Sequence, residues 1–348
     1  MNEGIMRIWE EAEAELLVAL QRGIPLVEQP FEAIGQKFGF SEEAVLAVLH
    51  KLRTSGESRR FGAVFDARRL GFRSALCAMT LPRVKLAELA QKVAAVNGVT
   101  HAYERGWPVE LSPELPGGPG EKNWPNLWFT LAAPAKIFCQ ELERLRSACQ
   151  PYAIHELPAT RRFKIDVVFD VRTRDRDEQV EPRPLIGQSS PPVIEPDAFV
   201  KRAVHLLQGD LPLCSRFFEP LARELEMSEA TLLAQLCEWQ AAGLLRRFGV
   251  LLRHREIGFK ANGMCCWDMP AEEVEEAGRR VASASEVTHC YERPRMDIFP
   301  FRLYAMIHTT SWEGARQLYE RITRDAGLQE GQLLLSLTEF KKTSMQFF

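Results

Sequence analysis

No stretch of this 348-residue chain approaches the roughly 18 consecutive apolar residues that a membrane-spanning helix needs. The N-terminus, MNEGIMRIWEEAEAELL, is acidic and amphipathic and has no basic leader followed by an apolar core. A cytoplasmic protein without a membrane partner is expected. Eight cysteines are present, yet they form no CxxC pair and no regular spacing, so reduced and mostly buried thiols are expected. There is no glycine-rich phosphate loop, HExxH, nucleophile elbow or zinc-ligand spacing, which removes the commonest nucleotide, protease, hydrolase and zinc chemistries. Basic charge is not in surplus either. A formal net charge of -3 argues against a chain that coats nucleic acid while leaving room for a local basic pocket. With 46% hydrophobic and 26% charged residues the composition is that of a globular protein, and the length suits two or more domains.

What the chain does have is a repeat. VTHAYERGW begins at Val99 and VTHCYERPR at Val287; RRFGAVFDARRLGFR begins at Arg59 and RRFGVLLRHREIGFK at Arg246. The offset is 187 at the second pair and 188 at the first, and it falls to 175 at Pro125 and Pro300. The fall lies in PVELSPELPGGPGEKN (108–123), a Pro/Gly-rich insertion read as a surface loop. Between the copies, 172–197 carries five prolines and many charges and reads as an extended linker.

Each copy has two parts, which gives an α+β fold of two tandem modules. The boundaries are 1–58 and 198–245 for two winged helix-turn-helix domains, and 59–171 and 246–348 for two ferredoxin-like βαββαβ sandwiches. In the first helical part, Ala33, Ile34, Phe38, Val45, Val48, Leu49 and Leu52 fall at helical spacing, Ser41 stands as N-cap and Gly56 as stop. Leu221, Ala222, Leu225, Ser228, Leu232, Leu233, Leu236 and Gly243 repeat the pattern. The second would-be recognition helix, 228–243, contains no lysine or arginine, so phosphate anchoring is missing there and DNA binding is not expected. In the mixed part, a strand at Phe61–Phe65, helices at Val84–Val96 and Pro134–Ala148, and strands at Val99–Arg105 and Asn126–Ala132 predict an antiparallel sheet with both helices on one face.

On a strand alternate side chains share a face, which groups Val99, His101, Tyr103 and Arg105 on one side and Val287, His289, Tyr291 and Arg293 in the second copy. His to Arg then spans about 14 Å, a reach suited to a large, flat, multiply charged ligand. Arg59, Arg60, Arg246 and Arg247 lie nearby in sequence and supply guanidinium forks for carboxylates. His155 is a second-rank site candidate; His50, His205, His254 and His308 read as structural or surface residues.

These segments, with PNLWFTLAAP in copy one and FPFRLYAMIH in copy two, resemble the siroheme decarboxylases, which have the Lrp/AsnC-type fold and usually consist of two related subunits. Both subunits would here be fused. The resemblance implies removal of the acetate carboxyls on rings C and D of siroheme to give 12,18-didecarboxysiroheme, in haem d1 or alternative haem biosynthesis. It implies no cofactor beyond the iron tetrapyrrole substrate. His101, His289, Tyr103 and Tyr291 would be catalytic, with either histidine equally able to be an axial ligand to the substrate iron. Arg59, Arg60, Arg105, Arg246, Arg247, Arg293 and His155 would bind carboxylates. A homodimer and hand-over of product to other haem d1 enzymes are expected. A DNA-binding regulator and a haem-binding sensor or carrier are the alternatives. The copies depart from each other where RHRE replaces DARR and where Pro294 stands opposite Gly106, which leaves open which half cradles the tetrapyrrole.

Overall fold

The computed structural model describes residues 9–106, 124–174, 193–329 and 331–348; the Pro/Gly-rich insertion and most of the linker lie outside them. Copy one runs α1 (Glu11–Arg22), α2 (Pro30–Phe38), α3 (Glu42–Thr54), β1 (Ser58–Phe65), β2 (Phe72–Met79), α4 (Arg83–Ala94), β3 (Val99–Gly106), β4 (Leu127–Pro134), α5 (Phe138–Ala148), β5 (His155–Leu157) and β6 (Arg161–Ile165). Copy two runs α6 (Ala198–Leu207), α7 (Phe218–Glu224), α8 (Glu229–Ala241), β7 (Leu245–Leu252), β8 (Ala261–Trp267), α9 (Val274–Ser283), β9 (Val287–Glu292), β10 (Leu303–Thr309), α10 (Trp312–Asp325) and β11 (Gly331–Lys342). The fold is thus mixed α and β in two repeated modules. The helix expected from Pro134 begins only at Phe138, because Pro134 still belongs to β4 and a turn intervenes.

Local chemistry sets the helix ends. Ser41 Oγ accepts from Ala44 N at 3.2 Å and Ser228 Oγ from Thr231 N at 3.1 Å, which caps α3 and α8. The chain turns after them at Gly56 and Gly243, with φ of 76° and 73° in the left-handed region that only glycine enters freely.

The two helical parts share one core instead of each keeping its own. β1 pairs antiparallel with β7, and Phe61 and Phe248 meet across that pair with Phe31, Phe217 and Phe218 around them. Trp239 packs into the same core against Phe65 and Phe199. The shared Arg-Arg-Phe-Gly motif has a backbone reason as well. Gly62 and Gly249 face each other in the register, and a Cβ on Gly62 would stand 2.4 Å from Gly209 O, one on Gly249 2.5 Å from Leu20 O. Each glycine lets a helix end of the opposite copy rest on a bare strand.

The mixed parts also interlock. One nine-stranded sheet runs β5-β2-β4-β3-β11-β8-β10-β9-β6, with helices α4 and α5 over one half and α9 and α10 over the other. β11 pairs with β8 of its own copy over 331–335 and then with β3 of the other over 335–342. β5 and β6 divide the same duty, β5 pairing with β2 and β6 with β9. Because β5 and β6 end the sheet yet are joined by 158–160 only, the sheet curls on itself and turns its helix-free face inward. An aromatic plug of Trp124, Trp128, Phe299, Phe301 and Tyr304 fills part of that interior.

Replacing Gly62 or Gly249 by Ala is expected to destabilise the fold by about 1–3 kcal/mol through overpacking against fixed backbone. The urea midpoint reads this; an unchanged midpoint in both variants would contradict the close approach.

Candidate functional site

The two His-Tyr-Arg stripes lie on the inner face of the curled sheet. His101 and Tyr103 rings are 6.3 Å apart and Arg105 Cζ stands 5.1 Å from the Tyr103 ring; His289 and Tyr291 are 6.0 Å apart with Arg293 Cζ again 5.1 Å from its tyrosine. Simple alternation put Val99 and Val287 in the same rows, and the structure corrects this. A β-bulge inserts Thr100 between Val99 and His101, and its twin inserts Thr288 between Val287 and His289. Both valines therefore pack under the helices with Ala102 and Cys290. Each bulged threonine instead sets its hydroxyl beside the histidine, Thr100 Oγ1 3.0 Å from His101 Nδ1 and Thr288 Oγ1 3.1 Å from His289 Nδ1.

Strand exchange makes both neighbourhoods composite. Beside His101 and Tyr103 stand Arg59 of β1, Arg255 from the loop after β7, and Glu339 and Lys342 of β11. Beside His289 and Tyr291 stand Arg246 of β7, Arg68 from the loop after β1, and Arg162 and Ile165 of β6. Each has more cations than acids: Glu339 is the acid near Tyr103, and Asp66 lies 3.9 Å from Arg162. Arg60 and Arg247 take another course. Arg60 donates to Ala63 O at 3.0 Å and Arg247 to Val167 O at 3.2 Å, so both brace the β1–β7 layer. His155 is not brought to either stripe: on β5 it pairs with Ala78 of β2, and the charge that depresses it with burial is Arg146 of α5.

Two histidines read from sequence as structural or surface residues lie in this region. His254 is buried, stacked on Phe169, and receives the Lys342 ammonium at its Nδ1. His308 packs edge-on against it at 5.0 Å and bonds Asn262 at 2.9 Å. The signal available was asymmetry, since His254 replaces Ala67 of the first copy and His308 takes the place in its strand that Ala132 has in copy one.

Burial and nearby cations together shape the acid-base chemistry. Burial first, then Arg59, Lys342, His289 and Arg105, push His101 down to about 3. Burial, Arg246 and Arg293 push His289 down to about 4. His254 is pushed down to about 3 by burial and Lys342, while burial brings Lys342 itself down to about 8. Tyr103 and Tyr291 are raised by burial and stay protonated. The site thus holds neutral imidazoles among guanidinium groups, an arrangement made for a polyanion. A separate groove of about 560 Å³ beside α1 and α2 does not share this chemistry, since its Arg172 already pairs with Asp170 and Glu15.

The comparisons with known proteins agree with this geometry. A family model described as the siroheme decarboxylase NirDL-like HTH domain matches residues 13–57 and 201–246, and one described as the AsnC-like ligand binding domain matches 69–164 and 256–341. The siroheme decarboxylase of Hydrogenobacter thermophilus is 36% identical over 338 residues, covering 96% of this chain and 94% of that protein. The chain belongs to the siroheme decarboxylase family. Within that family, the NirDL subunit of Paracoccus denitrificans is 31% identical over 92% of both chains. A siroheme decarboxylase beta subunit of Methanosarcina barkeri matches over 145 residues, 95% of that subunit and 42% of this chain. Two crystal structures of the siroheme decarboxylase NirDL superpose with TM-scores of 0.69 and 0.67 at 31% and 30% identity, covering 97% of this chain and 94% of theirs; the second holds an iron-uroporphyrin III analogue.

The depressed histidines set two pH responses. Their folded pKa values lie below the unfolded value near 6.5, so the unfolded state binds more protons in acid and stability falls as pH drops below about 6.5. Urea midpoints at pH 7 and pH 5 test this. A bound carboxylate acts in the opposite direction and raises the same histidines, so ligand binding takes up protons and weakens with rising pH, by at most about tenfold per unit for each proton. Calorimetry with iron uroporphyrin in two buffers of different ionisation enthalpy measures the uptake; none at all would contradict the placement.

Proposed function

We propose that this chain is a non-oxidative carboxy-lyase that removes the two acetate carboxyls on rings C and D of siroheme. The observation that carries the reading is the enclosed pair of His-Tyr-Arg stripes, each ringed by cations in excess of acids. Siroheme bears eight carboxylates, and a site for it needs several guanidinium groups without a basic protein around them. Arg59, Arg105, Arg255 and Lys342 on one side, and Arg68, Arg162, Arg246 and Arg293 on the other, supply those charges. Arg60 and Arg247 support them from the layer beneath.

The reaction breaks the bond between the acetate CH2 and its carboxylate, releases carbon dioxide, and protonates the carbon left behind to give a methyl group. A buried imidazole is suited to deliver that proton once the bound carboxylates have raised its pKa. Water exclusion helps the carboxylate leave. His101 and His289 deliver the proton or orient the substrate in this reading, Tyr103 and Tyr291 assist, and the substrate ring delocalises charge so that no organic cofactor enters. The product passes to a further tetrapyrrole-modifying enzyme.

The helical parts are poorly arranged for reading DNA. The N-terminal turn of α3 is occupied from the opposite copy, where Ser215 Oγ bonds both Glu42 oxygens at 2.9 and 2.8 Å. Arg53, one of its few cations, is tied to Asp210 at 2.8 Å and Leu211 O at 2.7 Å. Arg216 bridges Glu28 and Glu229 at the start of α8.

Anaerobic incubation with siroheme followed by mass analysis tests the reading. Loss of one and then two carbon dioxide units is expected, and His101→Ala or His289→Ala should slow it by roughly a hundredfold or more. Tight binding with unchanged mass would overturn the enzyme in favour of a carrier, and full activity in both variants would overturn the assignment of the proton donors.

A further inference from the structure

The two stripes match, but what stands behind them does not. In copy two a hydrogen-bonded chain runs from one stripe to the other. Arg105 Nη1 donates to Asn262 Oδ1 at 3.2 Å and Ser336 Oγ donates to the same oxygen at 3.1 Å. Two donors on Oδ1 fix the amide, so its nitrogen faces His308 Nε2 at 2.9 Å and must donate there. Neutral His308 then carries its proton on Nδ1, which lies 3.4 Å from Thr288 Oγ1. Thr288 Oγ1 donates to Met306 O at 3.2 Å, a carbonyl at the bulge, and stands 3.1 Å from His289 Nδ1. With its one hydrogen given to Met306, the hydroxyl is an acceptor toward both rings. His289 therefore holds its proton on Nδ1 and keeps a lone pair on Nε2.

Among the described residues copy one has no counterpart. Thr130 stands to His101 as Met306 stands to His289, and two residues along the same strands the pair Asn262 and His308 is replaced by Ser74 and Ala132. Thr100 still meets His101, but Ala132 offers no ring to carry the chain further.

We propose that Asn262, His308 and Thr288 are positioning residues that lock His289 in its Nδ1–H form, which makes His289 Nε2 the atom that takes up and delivers the proton, and leaves His101 to orient carboxylate. This rests on the decarboxylase reading above. In the step, a proton acquired at Nε2 when the polyanion binds is transferred to the acetate carbon as the carbon–carboxylate bond breaks. The ring returns to the tautomer it began in, because the proton on His289 Nδ1 stays there, donated to Thr288 Oγ1 throughout. A histidine fixed this way needs no ring flip between turnovers.

The test uses the full chain with 15N-labelled histidine, and it has a readout independent of siroheme. Long-range 15N–1H spectra of the ligand-free protein, assigned with His289→Gln, should show His289 as Nδ1–H. In His308→Ala and in Asn262→Ala the ring should revert to the Nε2–H form that histidine prefers in water. Single-turnover decarboxylation in those variants should fall about tenfold to a hundredfold while siroheme affinity stays within about threefold. His308→Gln, which keeps a neutral donor and acceptor, should recover part of the rate. Asn262→Ala leaves the His308 ring in place and guards against misfolding of the ring variant. His289 found as Nε2–H in the native chain, or a tautomer change without loss of rate, overturns the proposal. A native chain that binds siroheme without releasing carbon dioxide overturns the decarboxylase reading instead, and the tautomer result then stands by itself.

Discussion

The exchange of terminal strands between the two copies is the constraint on which this molecule depends. β11 leaves its own sheet half to pair with β3, and β6 does the same with β9. A histidine on β3 or β9 is consequently flanked on one side by its own copy and on the other by the opposite one. Neither copy could assemble its stripe environment alone. The pairing of β1 with β7 repeats the principle one layer away and brings Arg59 and Arg246 over the stripes from a strand pair that also belongs to both copies.

Positive charge inside the curled sheet follows from that architecture. A guanidinium withdrawn from water is costly unless something answers it. Here the answers are partial: backbone carbonyls hold Arg60, Arg247 and Arg293, and an amide oxygen holds Arg105. The shortfall is stored in histidines kept neutral and in a lysine pushed down to about 8. A substrate with many carboxylates supplies the missing charge, so binding completes the electrostatics of the fold.

The repeat, the order of elements, the caps at Ser41 and Ser228 and the shared polar row were legible in the sequence because each leaves a periodic or duplicated mark. Strand exchange was not, since pairing partners leave no trace in a single sequence. The bulge at Thr100 and Thr288 was hidden for a related reason: alternation assumes an unbroken ladder, and one inserted residue moves a side chain to the other face. His254 and His308 were passed over because an isolated histidine has no period. Comparing the copies for difference as well as likeness would have exposed them, His254 beside Ala67 and His308 beside Ala133.

Fusion of the copies has a consequence beyond linking them. A homodimer of one module must carry every residue twice, so a change useful on one side of its axis is imposed on the other. In this polypeptide Lys342 lies across from His101 while Ile165 lies across from His289, and Glu339 meets Tyr103 where Arg162 meets Tyr291. The inherited symmetry remains in the backbone, and the side chains are free to diverge. The molecule has thereby acquired a left and a right hand, able to present unequal grips to a macrocycle whose own edge is unsymmetrical.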